Sequence, residues 1–285
     1  IIIARILQGA GAVGSTLMAL LADLTSEKNR TKAMAVIGIS MGVFSALAII
    51  TGPAIASHYG LSGVFFASML LAFGSLGILY GITPNPTNTI LLQKNKVPLP
   101  QLFQSVLKEK NLLSLNAGIF LLHAIFTAMF YACPLILKPL ISDTAWFYLP
   151  ILIIAFLLLF PCIILAEKKR QMPIAFIISI GVLMLSQITL LFFHATLETI
   201  GAALSLFFIG FNFLEAALPS LVSKMALPET KGTAMGVYSS SQFLGIFFGG
   251  TCAGIIYPFG GATGIFIFTT ALALIWLKIA IAFKQ

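Results

Sequence analysis

Long apolar runs constrain this chain more than any other feature, because they recur at a length that suits a membrane. We count nine of them in the 285 residues, and each is close to the roughly 20 residues that a helix needs to cross a bilayer. A chain in lipid must satisfy its backbone hydrogen bonds internally, so these runs are predicted to be helices. The predicted spans are 1–24, 33–57, 62–83, 112–137, 146–166, 173–194, 200–222, 232–257 and 261–281.

The composition supports a polytopic, all-α membrane protein. Hydrophobic residues make up 59% of the chain and charged residues 8%, whereas a soluble domain is about a quarter charged. The net charge of +8 does not indicate nucleic-acid binding, because the basic residues lie in short loops between apolar runs. Cys133, Cys162 and Cys252 fall inside apolar runs without ligand spacing. We therefore expect no nucleic-acid partner, no metal and no cofactor.

The loops between the predicted spans alternate in charge. One set, which begins with loop 25–32 and includes the C-terminal end, holds fourteen of the sixteen Lys and Arg residues. The other set, which begins with loop 58–61, holds only Lys138. Positive residues concentrate on the cytoplasmic side of a membrane. This asymmetry predicts a cytoplasmic C-terminus.

The one long loop, residues 84–111, separates three spans from six. Its second half, "LFQSVLKEKNLL", places Leu102, Phe103, Val106 and Leu107 on one helical face. That pattern is typical of a short helix on the inner membrane surface, with its lysines among the headgroups. The first turns of the next span would give the same pattern, and the sequence leaves both possibilities open.

A short internal repeat relates the two ends of the chain. "KAMAVIG" (32–38) resembles "TAMGVYS" (233–239), 201 residues later. Parallel halves of six spans are a known transporter plan. The repeat then predicts nine of twelve helices, with the first three missing. The expected domains are a truncated N-terminal bundle (1–83), a cytoplasmic linker (84–111) and a C-terminal bundle (112–285).

Two motifs make the chain resemble the major facilitator superfamily, in its drug/proton antiporter branch. "ARILQGAGA" is similar to the fourth-helix motif of that family, with Arg5, Gln8 and Gly9 at the matching positions. "AIITGPAIAS" partly matches the fifth-helix antiporter motif, with Gly52 and Pro53 retained and two of the usual flanking glycines substituted. Three further segments resemble the bacterial YajR type in particular: "ADLTSEKNRTKAMAVIG", "FNFLEAALPSLVSK" and "GTAMGVYSSSQFLGIFFGG".

This resemblance implies the major facilitator fold and a secondary transporter in the bacterial inner membrane. The expected function is proton-coupled efflux of small hydrophobic or cationic compounds by a monomer in the lipid bilayer. A metabolite facilitator or symporter on the same fold is the alternative. We expect no enzyme and no catalytic residues, because the sequence shows no nucleophile elbow, metal-ligand cluster or phosphate loop. As a fragment, the chain is not expected to transport by itself.

Arg5 is the basic residue that lies well inside an apolar run. A guanidinium is costly in hydrocarbon, so it should face a cavity or a partner. The resemblance implies that Arg5, with Gln8 and Gly9, takes part in proton coupling. Alternatively, Arg5 extends its charge to the outer membrane surface. The same resemblance implies a hinge at Gly52 and Pro53.

Glu215 lies within the seventh predicted span, one turn before Pro219. A carboxyl group inside a bilayer can be held in its protonated form, which makes Glu215 a candidate proton carrier. It can also be a structural pin at the inner gate, paired with Lys224 or with Arg30 and Lys32. The repeat places Gly14 opposite it in the other half, so the charge is not duplicated. We favour the pin on these grounds.

Several other polar residues must face the protein interior. His123 lies in mid-span, where it can relay protons or, as we favour, serve as a neutral, hydrogen-bonded core residue. The remaining candidates for the walls of a cavity are Asn116, Asn212, Tyr238 and Gln242. The small-residue runs Gly232, Gly236, Ser240 and Gly245, Gly249, Ala253 predict tight helix contacts.

Overall fold

The computed structural model describes residues 27–83, 99–142, 144–169, 171–227 and 230–282, with single positions between 14 and 25. Every secondary-structure element in this part of the chain is a helix, which confirms the predicted all-α class. Eight of the nine predicted spans fall in the described helices, and the first, 1–24, lies largely outside them. The helices are α1 (Glu27–Gly81), α2 (Leu99–Lys108), α3 (Lys110–Leu137), α4 (Thr144–Lys168), α5 (Met172–Phe192), α6 (Leu197–Met225) and α7 (Lys231–Ala282). Among the described helices, six are long and apolar enough to cross a membrane.

α1 and α7 each consist of two segments that meet at a glycine. Gly60 (φ 63°, ψ −171°) breaks α1, and Gly261 (φ 56°, ψ −154°) breaks α7. A positive φ is accessible to glycine at little cost, so these residues allow an abrupt break without a long loop. The sequence predicts short loops at these two places. Each of these long helices therefore supplies two of the predicted spans.

The same offset that relates the sequence repeat also relates these two helices. Gly60 and Gly261 are 201 residues apart. The repeat seen in seven letters of sequence thus extends to the breaks of two long helices. This agreement supports α1 and α7 as equivalent parts of two related halves.

The core of the described bundle lies between α3, α6 and α7. α3 packs most extensively against α7, α5 packs against α6 and α7, and α4 packs against α6. Fully buried side chains fill the space between these helices, among them Ile119, Ile125, Phe207, Phe266 and Trp276. In lipid, such packing depends on close helix contact more than on the exclusion of water.

Glycine allows α7 to approach α3 backbone to backbone. A Cβ atom at Gly245 would lie 2.2 Å from the Phe120 carbonyl oxygen, and one at Gly249 would lie 2.2 Å from the Ala124 carbonyl oxygen. No real side chain fits at such distances. The predicted tight contact is therefore confirmed for this run, which Ala253 extends as a fully buried residue. In the earlier run, Gly232 and Gly236 have no described atom within 4 Å of the Cβ position.

α2 is a separate helix and not the first turns of α3. Glu109 lies between them in an extended conformation (φ −78°, ψ 110°), and its side chain accepts a hydrogen bond from the Leu112 backbone N–H to cap α3. The predicted apolar face of α2 is divided: Val106 is buried against the bundle, whereas Phe103 and Leu107 are about half exposed. Its location on a membrane surface remains a prediction.

Candidate functional site

Three polar side chains from three helices meet inside the membrane-spanning bundle. His123 of α3, Glu215 of α6 and Gln242 of α7 form a cluster in which Gln242 contacts both of the others. The Gln242 side-chain nitrogen lies 2.9 Å from His123 Nε2 and 3.3 Å from Glu215 Oε1. His123 Nε2 lies 3.8 Å from Glu215 Oε2. We refer to these three residues as the polar triad.

The glycine contact between α3 and α7 explains why the polar triad forms. Phe120 and Ala124, whose carbonyl groups touch Gly245 and Gly249, lie on either side of His123 along α3. Gln242 lies about one turn before Gly245 on α7. Because the two backbones touch at the glycines, the Gln242 side chain is close enough to contact the imidazole ring of His123. The carboxylate of Glu215 comes from the third helix, α6.

The polar triad is mostly withdrawn from solvent, but it is not sealed. The His123 side chain is 8% exposed and that of Glu215 is 35% exposed. The Glu215 Oε2 atom itself is buried and has no hydrogen-bond partner among the described residues. A buried carboxyl oxygen that lacks a partner is costly unless it binds a proton, a water molecule or a ligand.

Further unsatisfied polar atoms lie on the same helices as the polar triad. Asn116 Oδ1, Asn212 Nδ2 and the Tyr238 hydroxyl are all buried without a hydrogen-bond partner in the described part of the chain. Asn116 precedes His123 by two helical turns, and Tyr238 precedes Gln242 by one. Buried polar groups usually have partners. This interior can therefore accept water or polar groups of a ligand.

An aromatic cluster adjoins the polar triad. The Phe211 ring lies 5.8 Å from the His123 ring and 4.8 Å from the Phe126 ring, centre to centre. Phe126 in turn lies 4.6 Å from Phe130, which contacts Tyr148 of α4 at 6.0 Å. These spacings are typical of favourable aromatic pairs. A row of aromatic rings thus extends from His123 towards the far end of α3.

The structure brings only some of the predicted site residues together. His123, Glu215 and Gln242 are in contact, whereas the buried atoms Asn116 Oδ1, Asn212 Nδ2 and the Tyr238 hydroxyl have no hydrogen bond to them in the described part of the bundle. Gly52 and Pro53 lie in an uninterrupted stretch of α1, where no described atom comes within 4 Å of the Cβ position at Gly52. The predicted coupling residues Arg5, Gln8 and Gly9 lie outside the described residues.

Glu215 does not pair with Lys224, the lysine that the sequence suggested for it. The structure places Glu215 against His123 and Gln242, and Lys224 is exposed. Nine residues along a helix are about two and a half turns, so the two side chains leave α6 on opposite faces. The side chains of Arg30 and Lys32, the other suggested partners, lie outside the described part of the chain.

Sequence reasoning missed the pairing of Glu215 with His123 and the aromatic cluster beside it. A usable signal was present, since three predicted spans each carry two polar residues at helical spacing: Asn116 and His123, Asn212 and Glu215, Tyr238 and Gln242. Polar residues that share a face in several apolar spans should converge, because lipid excludes them. No group of three or more potential metal ligands occurs among the residues that the structure describes.

Comparison with known proteins gives consistent relatives. The family model described as Major Facilitator Superfamily matches residues 1–249. The chain is 40% identical over 288 residues to the inner membrane transport protein YajR of Escherichia coli (strain K12), covering 100% of this chain and 63% of that protein. It is 32% identical over 300 residues to an uncharacterized transporter of Buchnera aphidicola subsp. Baizongia pistaciae, covering 99% of this chain and 73% of the relative.

A solved structure confirms the fold. The crystal structure of the human organic anion transporter MFSD10 superimposes with a TM-score of 0.67 at 20% identity, covering 93% of this chain and 67% of that one. At this identity the likeness concerns the fold alone. The family match over residues 1–249 and the 32% identity to the Buchnera relative show that this chain, which is similar to the YajR type and spans less than two thirds of the length of YajR, belongs to the Major Facilitator Superfamily.

Proposed function

We propose that the protein exports small hydrophobic or cationic compounds in exchange for protons, from the cytoplasm across the bacterial inner membrane. The observation that supports this proposal is the polar triad, in which a carboxylate and an imidazole lie 3.8 Å apart inside a membrane-spanning bundle. Ionisable residues inside a membrane are expensive, and they commonly mark proton or substrate pathways.

Glu215 and His123 suit proton exchange because each can bind and release a proton. Without a proton, the pair carries one negative charge in a largely apolar bundle. With one proton, it is either neutral or an internal ion pair. A cationic substrate and a proton are thus alternative ways to neutralise the same carboxylate. Because the substrate and the proton compete for the same carboxylate, binding of the substrate favours release of the proton, and binding of the proton favours release of the substrate.

The aromatic cluster supports the proposed class of substrate. Phe126 and Phe211 are 4.8 Å apart and adjoin His123, so apolar ring faces begin where the polar triad ends. A flat apolar compound would gain contact area there. A cation held over a ring face gains a further 0.5 to 2 kcal/mol, roughly.

This proposal changes the role that the sequence favoured for Glu215. A structural pin would be an ion pair with a lysine or arginine, and the contacts of Glu215 in the described part of the chain are a histidine and an amide. We therefore propose proton uptake at Glu215. Arg5, Gln8 and Gly9 are proposed to support coupling in the other half, with Gly52 and Pro53 as the hinge of the antiporter motif.

Dye export from proteoliposomes tests the function. The intact protein should export a hydrophobic cationic dye when an inward proton gradient is imposed, and export should stop when the gradient is collapsed. Glu215→Gln should reduce the proton-driven component by about tenfold or more. Glu198→Gln is the matched control, because Glu198 is exposed in the first turn of the same helix.

Two results would contradict the proposed exchange, and a third would contradict the role proposed for Glu215. Export that continues after collapse of the proton gradient would favour a facilitator on the same fold. Uptake with the protons instead of exchange against them would favour a symporter. If Glu215→Gln reduced only the amount of protein in the membrane, with normal export per molecule, Glu215 would be a structural pin.

A further inference from the structure

We propose that Gln242 is a positioning residue that keeps His123 neutral and makes Glu215 the first acceptor of a proton. The inference comes from the directions of the hydrogen bonds in the polar triad. Its meaning for transport rests on the proposed proton coupling, but the arrangement itself can be tested without transport.

One tautomer of His123 fits its neighbours. His123 Nδ1 lies 3.3 Å from the Ile119 carbonyl oxygen, which can only accept a hydrogen bond, so Nδ1 carries the ring hydrogen. In a neutral imidazole the other nitrogen, Nε2, is then an acceptor. Its neighbour at 2.9 Å is the Gln242 amide nitrogen, which can only donate. The neutral ring is satisfied on both sides.

The orientation of the Gln242 amide is set by two acceptors. The amide nitrogen has two hydrogens, and it lies near His123 Nε2 and, at 3.3 Å, near Glu215 Oε1. An ionised carboxylate only accepts, and so does the unprotonated ring nitrogen. Both contacts are satisfied when the amide presents its nitrogen to them. Turning the amide would place its oxygen against two other acceptors.

Protonation of His123 conflicts with this arrangement. A hydrogen on Nε2 would face the Gln242 amide hydrogens across 2.9 Å, so two donors would meet. Glu215 Oε2 is free of such a conflict, because it has no hydrogen-bond partner among the described residues. An arriving proton therefore binds to Oε2. It can pass to the Nε2 lone pair only after Gln242 turns its amide oxygen towards the ring, leaving the O–H electron pair on the carboxylate.

The titratable groups of this region are few. His123 comes from α3, Glu215 from α6 and Tyr238 from α7; the Tyr238 hydroxyl is buried without a hydrogen-bond partner in the described part of the chain. Within the same part of the chain, the acid–base pair at this site is Glu215 with His123. An arriving proton therefore binds either to Glu215 or to His123, and Gln242, which contacts both, determines which of them binds it first.

Nitrogen-15 NMR of histidine-labelled, intact protein at pH 7 tests this inference directly. The His123 signals are identified by their loss in His123→Gln. In the wild type, we expect a protonated Nδ1 and an unprotonated Nε2. In Gln242→Met, Nε2 should become protonated, because the remaining polar neighbour in the described structure is the carboxylate oxygen at 3.8 Å, which accepts.

Two further variants keep the test decisive. Gln242→Glu preserves size and polarity, so it guards against a folding defect in the methionine variant, and its carboxylate should also draw a proton onto Nε2. Gln187→Met is the matched control: this buried glutamine of α5 donates to Met129 Sδ of α3 at 3.5 Å, and its side-chain nitrogen has no hydrogen bond to the polar triad in the described structure. It should leave the His123 signals as in the wild type.

The outcomes separate the two proposals. A protonated Nε2 in the wild type, or unchanged His123 signals in both Gln242 variants, would overturn the role of Gln242. If the NMR results are as expected but dye export is independent of the proton gradient, the hydrogen-bond arrangement stands and the proposed coupling falls.

Discussion

α1 and α7 share a backbone plan, yet they bring different side chains to their neighbours. Both consist of two segments broken at a glycine, and the breaks are 201 residues apart. At the same offset, α7 has Gln242, Gly245 and Gly249 where α1 has Met41, Phe44 and Ala48. Gly245 is buried against α3, whereas Phe44 is 68% exposed in the described structure.

The difference teaches that the scaffold and the site depend on different residues. Apolar length and a glycine with positive φ are enough to produce two spans and a sharp break. The site requires in addition a close helix contact, which the glycines of α7 provide, and a polar residue one turn away, which Gln242 provides. The residues proposed for proton coupling in this half are therefore held together by α7, and the corresponding positions of α1 carry different residues.

The largest effect is expected from filling the contact between α3 and α7. In Gly245→Ala, the new Cβ would meet the Phe120 carbonyl oxygen at 2.2 Å. Because backbone atoms cannot move aside easily, the helices must separate, at a cost of about 3 kcal/mol or more. Gly254→Ala on the same helix is the control, since no described atom lies within 4 Å of its Cβ position.

Unfolding of the purified variants in detergent measures this effect. Gly254→Ala should change the free energy of unfolding by less than about 1 kcal/mol, and we expect it to increase, because alanine is more stable than glycine inside a helix. Gly245→Ala should also weaken the contact of Gln242 with His123. Equal stability of the two variants would show that close packing at Gly245 does not hold α7 in place.

A smaller effect is expected at the two helix breaks, where α1 and α7 should behave alike. Gly60 and Gly261 have a positive φ and no described atom within 4 Å of the Cβ position. Alanine at either place therefore meets backbone strain but no clash, with a cost of about 1–2 kcal/mol. Thermal unfolding of the two variants should give similar losses. A large loss at one break alone would argue against the equivalence of the two helices.

The smallest effect is expected when α1 is given a residue that α7 already has. Gly52 corresponds to Ala253 at the offset of 201, and the Cβ position at Gly52 has no described atom within 4 Å. Gly52→Ala should change stability by less than about 1 kcal/mol. Export measured beside it separates two roles: a loss of export at unchanged stability supports the antiporter-motif hinge, and normal export contradicts it.

Much of the fold could be predicted from the sequence, because it depends on local properties. Apolar runs set the spans; the loop predicted at 58–61 contains the break at Gly60, and the loop predicted at 258–260 ends one residue before the break at Gly261. The tight contact at Gly245 and Gly249 was predictable from small residues at four-residue spacing, but its partner, α3, was not. The spacing shows which face of a helix carries small residues, but it does not show which neighbouring helix packs against that face.

The candidate site was predictable residue by residue but not as an arrangement. His123, Glu215 and Gln242 each stand out as polar residues in apolar spans, yet their contacts depend on the relative depth of three helices. The mistaken partner for Glu215, Lys224, came from proximity in sequence. Helical phase excludes that pair, and depth in the bundle, which the sequence does not encode locally, selects His123 in its place.

Proton release on substrate binding is the measurement that most directly tests the exchange of a proton for a substrate at Glu215. A hydrophobic cationic dye is added to the intact protein in weakly buffered detergent, at a pH low enough for Glu215 to hold a proton before the dye binds, and the change in solution pH is recorded. Binding should release protons from the wild type and from Glu198→Gln, and none from Glu215→Gln. Undiminished proton release from Glu215→Gln, at equal dye binding, would contradict the account.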